Sequence, residues 1–334
     1  RQMCIRDSYQ TAWFKCHHTK EYMAALLTSV LDNSDKVAGY ISECRDCGIA
    51  LLPPDINRSA DRFTVEEGGI RFGLVAIKNI GRGFIQAVMR EREQAPFTSL
   101  YDFCDRMAGS DINKRAVESL IRAGAFDSTG ARRSQLIQVY ESVMDAVADS
   151  LRQNLEGQLD FFSMAMEHQE SASVKEIPLP DIPEFTPQEL MTMEKAVTGL
   201  YLSGHPMDQY RDAVRRLGAP TIGSILADFA QEGGPTTYRD EQRVTLAGVV
   251  ASARTKTTRS NTLMAYVVLE DDTGSMEMLV FARVLGEAGP YLKEGVPVLA
   301  EGRLSVRDEK APQLMCDRVL SLIHISEPTR HSLI

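Results

Sequence analysis

The sequence predicts an α+β chain, with a long helical part followed by a five-stranded OB-fold β-barrel. Three observations predict it. Apolar residues recur at helical spacing over the first two thirds. The period changes to two from Gln242 onward. Five short strands then follow, with a helix-like piece after the third, which is the order of an OB-fold.

Tyr9 to Leu31 reads as a helix, because Met23, Leu26, Leu27, Val30 and Leu31 share one face. A second helical stretch ends at Gly48, a candidate C-cap. Ile49 to Leu52 is a short extended run stopped by Pro53-Pro54. Phe63 to Phe72 alternates about Gly68-Gly69 and reads as a small hairpin. Short helices continue from about Leu74 to Leu151, the last placing Leu136, Tyr140, Val143, Val147 and Leu151 on one face. Residues 163–189 hold four prolines and six acidic residues against one lysine, the composition of an acidic Pro-rich linker or loosely packed strap. A helical connector occupies 190–235 and the barrel 236–322. Its expected strands are Val244 to Arg254, Leu263 to Leu269, Met276 to Phe281, Pro297 to Val306 and Gln313 to Leu320.

Composition narrows the function classes. A hydrophobic fraction of 43% suits a globular chain with real cores. No run of eighteen apolar residues and no signal-like N-terminal segment stands in the sequence, so a cytoplasmic location without membrane contact is expected. Six scattered cysteines, with Cys44 and Cys47 forming a single C-x-x-C, fit reduced thiols better than a zinc site or a disulfide framework. The net charge of -9 means that nucleic-acid contact would need a local basic patch. Asp271-Asp272 reads as turn chemistry rather than a metal-binding pair. The sequence contains no P-loop, Rossmann fingerprint or Ser-His-Asp arrangement.

Three segments point to binding. The first is Phe72-Gly-Leu-Val-Ala-Ile-Lys-Asn-Ile-Gly-Arg-Gly83 and the helical stretch after it, a helix-hairpin-helix pattern. Gly81 and Gly83 permit a tight bend and close approach of backbone to a phosphate. The following helix would offer outward-facing amides, and Lys78, Asn79 and Arg82 stand beside them. Asn113 to Phe126 looks like a weaker second copy, with Lys114, Arg115 and Arg122 as its cations and a turn at Ala123 to Phe126. The alternative is a plain glycine-capped turn with solvated cations. The second segment is Gln158-Leu159-Asp160-Phe161-Phe162, whose aromatics suit a groove on a partner or, alternatively, the chain's own core. The third is the expected loop after the first barrel strand, Arg254 to Asn261, whose cations Arg254, Lys256 and Arg259 would border a nucleic-acid groove beside strand residues Tyr266 and Phe281, which could stack on bases or pack inward. Core packing is the expectation for Phe281.

Taken in order, several short motifs resemble the C-family bacterial replicative DNA polymerases. They are Tyr9-Gln-Thr-Ala-Trp-Phe-Lys15, Glu21-Tyr-Met-Ala-Ala-Leu-Leu-Thr-Ser29, Leu52-Pro-Pro-Asp-Ile-Asn-Arg-Ser59, Ile70-Arg-Phe-Gly-Leu74 with Ala76-Ile-Lys78, Ala123-Gly-Ala-Phe-Asp127, and Leu202-Ser-Gly-His-Pro206. The resemblance implies that 9–71 is the end of a helical fingers region and that 72–162 is a helix-hairpin-helix domain gripping primer-template DNA. Residues 158–162 would bind the β sliding clamp, and the barrel would lie near single-stranded template DNA. Other replicase subunits are implied as further partners. No catalytic residue and no cofactor is assigned to this chain, because the family's aspartates and their Mg2+ belong to a palm domain expected upstream. Residues 1–8 and 323–334 depart from the pattern and read as non-native tails. The alternative to a polymerase piece is a stand-alone DNA-binding or assembly module without polymerase activity, or a scaffold that binds only proteins.

Overall fold

The computed structural model describes residues 2–30, 34–110, 112–160, 177–231, 234–257, 262–306 and 311–322. They belong to two compact units, Arg1–Ser203 and Gly204–Ile334.

The first unit begins with α1 (Gln2–His17) and α2 (Thr19–Ser29). The single helix anticipated from Tyr9 is broken at His18, whose φ of -134° is not helical. Met23, Ala24 and Leu27 bury the inner face of α2. Helix α3 (Ser34–Asp46) is followed by Gly48 at φ 71°, a left-handed position that favours glycine. Strand β1 (Leu51–Leu52) runs parallel to β3 (Gly69–Arg71), and β2 (Thr64–Glu66) pairs antiparallel with β3 as the sequence indicated.

The Pro53-Pro54 segment is pinned from a distance. Phe97 N–H donates to Asn57 Oδ1 at 2.7 Å, and Asn57 Nδ2 donates back to the Phe97 carbonyl at 2.9 Å. Beyond it come α4 (Arg82–Gln94), α5 (Leu100–Arg106), α6 (Lys114–Arg122), α7 (Arg133–Asp160) and α8 (Pro187–Thr198). Their shared core centres on Phe103, which meets Phe97 and Phe126 edge-to-face with ring centroids 5.0 and 5.1 Å away. Leu136, Tyr140, Val143 and Val147 of α7 are buried as the helical spacing indicated. Leu151, one turn further, is 40% exposed.

The described part of the proline-rich segment, 177–186, is docked. Gln135 Nε2 donates to the Pro180 carbonyl at 2.8 Å, and Arg132 Nη1 donates to the Ile182 carbonyl at 2.7 Å. Glu184 accepts from the amides of Arg133 and Ser134 at 2.8 and 3.0 Å, capping the N-terminus of α7 from another segment. Burial raises the Glu184 pKa, and the amides of Phe185, Ser134 and Arg133 outweigh it and lower the value. Thr186 and Glu189 then close a capping box that starts α8.

The second unit opens with α9 (Arg211–Arg216) and α10 (Ile222–Phe229). Strands β4 (Arg243–Thr257), β5 (Leu263–Glu270), β6 (Ser275–Val280), β7 (Pro297–Ser305) and β8 (Gln313–Ser321) form a closed barrel in the order β4-β5-β6-β8-β7. Helix α11 (Ala282–Ala288) follows the third strand. Among the described barrel pairs, β6–β8 is parallel and the others antiparallel, which gives the OB connectivity expected from the sequence. Two glycines permit strand crowding: a Cβ at Gly302 would collide with the Met315 carbonyl, and one at Gly248 would lie 2.7 Å from the Glu270 carbonyl oxygen.

Candidate nucleic-acid interface

The first hairpin is reached by a 3-10 turn, Leu74–Ala76, rather than by the short helix the sequence suggested. Leu74 and Ile77 are buried there and anchor the turn. Lys78, Asn79, Gly81, Arg82 and Gly83 are all exposed. The bend falls on a different residue from the one expected. Asn79 is left-handed at φ 65°, whereas Gly81 is extended at φ -83° and ψ 151°. Asparagine tolerates that conformation better than most residues. Its side chain is also held, donating through Nδ2 to the Ser119 hydroxyl of α6 at 3.1 Å.

The glycines serve access instead. Gly81 is the N-cap of α4 and supplies no side-chain cap. A Cβ added at Gly81 or Gly83 would meet nothing within 4 Å. The start of α4 is therefore open to solvent, bare of side chains at two of its first positions, and flanked by Arg82. Arg82 forms no ion pair among the described residues. An uncapped helix start of this kind attracts an anion through its amides and its dipole.

Lys78 is differently placed. Its amide donates to the Val197 carbonyl at 2.8 Å and its ammonium to the Ala196 carbonyl at 2.9 Å. Both acceptors lie in the last turn of α8, so the lysine also neutralises the negative end of that helix.

The second copy is closed. Ala123, Ala125 and Phe126 are fully buried, and the Gly124 and Ala125 amides donate to the carbonyls of Ile121 and Leu120. A Cβ at Gly124 would strike the Arg133 guanidinium. Its turn therefore cannot offer free amides as the first does. Of its cations, Lys114 pairs with Asp145 at 2.9 Å and Arg122 with Glu118 at 2.7 Å, while Arg115 is exposed.

Sequence reading missed the reason for this closure. Buried Arg133 joins Asp127 at 2.7 Å and Glu194 at 2.9 Å. Glu194 also accepts from the Leu202 and Ser203 amides at 3.0 and 2.9 Å. Burial works against the Arg133 charge, but hydrogen bonds to Asp127 and Glu194 reverse that and raise its pKa. The network ties α7, α8 and the segment after α8 around the second turn. Nothing in local spacing links residues so far apart in sequence.

In the barrel, Arg254 and Lys256 lie on β4 itself and are exposed, not in a loop. Arg259 lies outside the described residues. The cross-strand register places Arg254 opposite Tyr266, Tyr266 opposite Leu279, Leu279 opposite Met315 and Met315 opposite Arg303. This row runs over the outer face, because the flanking Ala265 and Val267 fill the core. Phe281, expected in the core, is 45% exposed. It caps α11 after the last β6 residue, so the strand has already ended where its side chain emerges.

Gln158, Leu159 and Asp160 form the end of α7, and their side chains lie outside what is described. Phe161 and Phe162 lie outside the described residues. Asp271 accepts from the Ile222, Thr273 and Gly274 amides at 2.7, 2.8 and 2.9 Å and so organises its turn. Burial raises its pKa. Burial likewise pushes the thiols of Cys44, Cys104 and Cys316 up to about 11, 12 and 12. Among the described residues no group of three or more His, Cys, Asp or Glu is arranged to hold a metal. None of their helices is long and apolar enough to cross a membrane.

Comparison with known proteins agrees with both halves. A family model described as a helix-hairpin-helix motif matches residues 48–136. Another, described as an OB-fold nucleic acid binding domain, matches residues 244–322. DNA polymerase III subunit alpha of Vibrio cholerae is 34% identical over 303 residues, 90% of this chain and 25% of that protein. The Deinococcus radiodurans subunit is 36% identical over 322 residues, covering 96% and 24% respectively. That of Thermus aquaticus is 38% identical over 303 residues, covering 90% and 23%. The chain thus spans about a quarter of the length of the curated relatives it matches.

Proposed function

Because this chain belongs with the DNA polymerase III alpha subunits, we propose that it supplies the DNA grip of a replicative polymerase and tethers it to the sliding clamp. The observation that supports the grip most is the open start of α4, with two bare glycines and Arg82 beside them. A primer-template phosphate takes hydrogen bonds from those amides and charge from Arg82. Such contacts position a duplex without reading its sequence, as a replicative enzyme requires.

The outer row of the barrel, from Arg254 through Tyr266 to Arg303, combines cations with an aromatic face. That chemistry suits single-stranded template, whose bases stack while its phosphates pair with arginine. Residues 158–162 dock a glutamine, a leucine and two phenylalanines into a clamp groove. A clamp encircling DNA keeps this contact local through effective concentration. Nucleotidyl transfer, with its aspartates and Mg2+, is assigned to a palm domain outside this chain.

Replacing Gln158, Phe161 and Phe162 together by alanine tests the tether. Clamp binding, followed by surface plasmon resonance, falls by at least tenfold while the helical circular dichroism is unchanged. Binding at parental affinity would remove the clamp from this reading.

A further inference from the structure

The first unit contains an open groove of about 1120 Å³ that adjoins the exposed hairpin. Arg62, Lys78 and Arg82 all line it. Sequence reading did not single out Arg62. Cations on the lining exceed carboxylates by one, the carboxylates being Glu21 and Asp61.

Three features fix Arg62 relative to the hairpin. A Cβ at Gly73 would lie 2.8 Å from Arg62 Cα, so the two backbones touch where any larger residue would separate them. The Leu74 and Val75 amides donate to the carbonyls of Ala60 and Asp61 at 2.9 and 3.0 Å. Gly73 is also the N-cap of the 3-10 turn that leads into Lys78. The Arg62 backbone is thus tied directly to the turn that positions the hairpin. Its side chain remains 71% exposed, with a loose ion pair to neighbouring Asp61 at 3.6 Å. An ion pair that open and long contributes little and yields readily to a phosphate.

We propose that Arg62 is a second phosphate contact for the same duplex, and that the strand held at Arg82 continues along this groove. The inference rests on the hairpin reading above and adds a binding residue and a direction for the backbone. Arg62 and Arg82 are then two parts of one track, set by the Gly73 contact.

The test is the salt dependence of primed-duplex binding by the whole chain, followed by fluorescence anisotropy. Loss of one phosphate contact lowers the steepness of the negative slope of log K against log salt by about 0.9. Arg62→Ala should produce that decrease, Arg62→Lys should keep the parental slope, and Arg62→Glu should flatten it further. Arg90→Ala, an exposed cation of α4 outside the groove, should not change it. A parental slope for Arg62→Ala beside a reduced one for Arg82→Ala would overturn the groove track and leave the hairpin standing. Parental slopes for both would overturn the two together.

Discussion

Glu194→Ala should destabilise the first unit more than any exposed substitution. The Glu194 side chain is 1% exposed and its partner Arg133 is 7% exposed. Removing the carboxylate leaves Arg133 Nη1 with only the long 3.4 Å bond to the Arg122 carbonyl in a buried setting. It also strips the acceptor from the Leu202 and Ser203 amides. Breaking a buried ion pair from one side costs about 3–5 kcal/mol. A unit of this size loses about 2–4 °C in Tm per kcal/mol, so the transition should fall by on the order of 10 °C. Urea denaturation followed by circular dichroism at 222 nm reads the change, because the helices are concentrated in this unit. Glu194→Gln retains an acceptor oxygen without the charge and should fall between the two. The double variant with Arg133→Ala should cost less than the sum of the single changes, since both remove the same interaction. A loss below about 1 kcal/mol for Glu194→Ala would show that the network contributes little, against its burial. Lys78 is held by carbonyls of the same helix, so a destabilised α8 should also weaken duplex binding.

Two further outcomes concern the second unit. Gly302→Ala places a methyl group against the Met315 carbonyl at the β7–β8 bulge and should cost about 1–3 kcal/mol, read by thermal melting of the second unit; an unchanged Tm would contradict the crowding there. Asp228 accepts from the Tyr238, Thr237 and Thr236 amides, the first contributing most, and its pKa is lowered from 3.8 to about 2. Because the folded value lies below the unfolded one, its stabilisation is complete above pH 3.8 and is lost as the pH falls toward about 2. Asp228→Asn should flatten the acid limb of a stability-against-pH curve, and an unaltered limb would refute the assignment.

Much of this architecture was legible in the sequence because its signals are local. Period-two alternation located four of the five barrel strands to within one residue at each end, the first running three residues further than expected, and a single helix after the third gave the OB order. Lys78 to Gly83 stood out because glycine, cation and helix start lie within six residues. The misreadings came from contacts between distant residues. The second turn has the right local pattern, but Arg133, 11 residues beyond Arg122, closes over it and is itself held by Glu194, a further 61 residues along the chain. Asn79 takes the bend because Ser119, 40 residues on, holds its side chain. Phe281 resembled a strand residue by alternation, yet the strand stops one position earlier. The proline-rich segment was read from composition, which does not reveal that Gln135 and Arg132 bind its carbonyls.

The salt dependence of Arg82→Ala tests most directly how the open start of α4 meets DNA. Binding of primed duplex should show a slope of log K against log salt that is shallower by about 0.9 than that of the parent chain. A slope equal to that of the parent would mean that no phosphate sits beside this helix start.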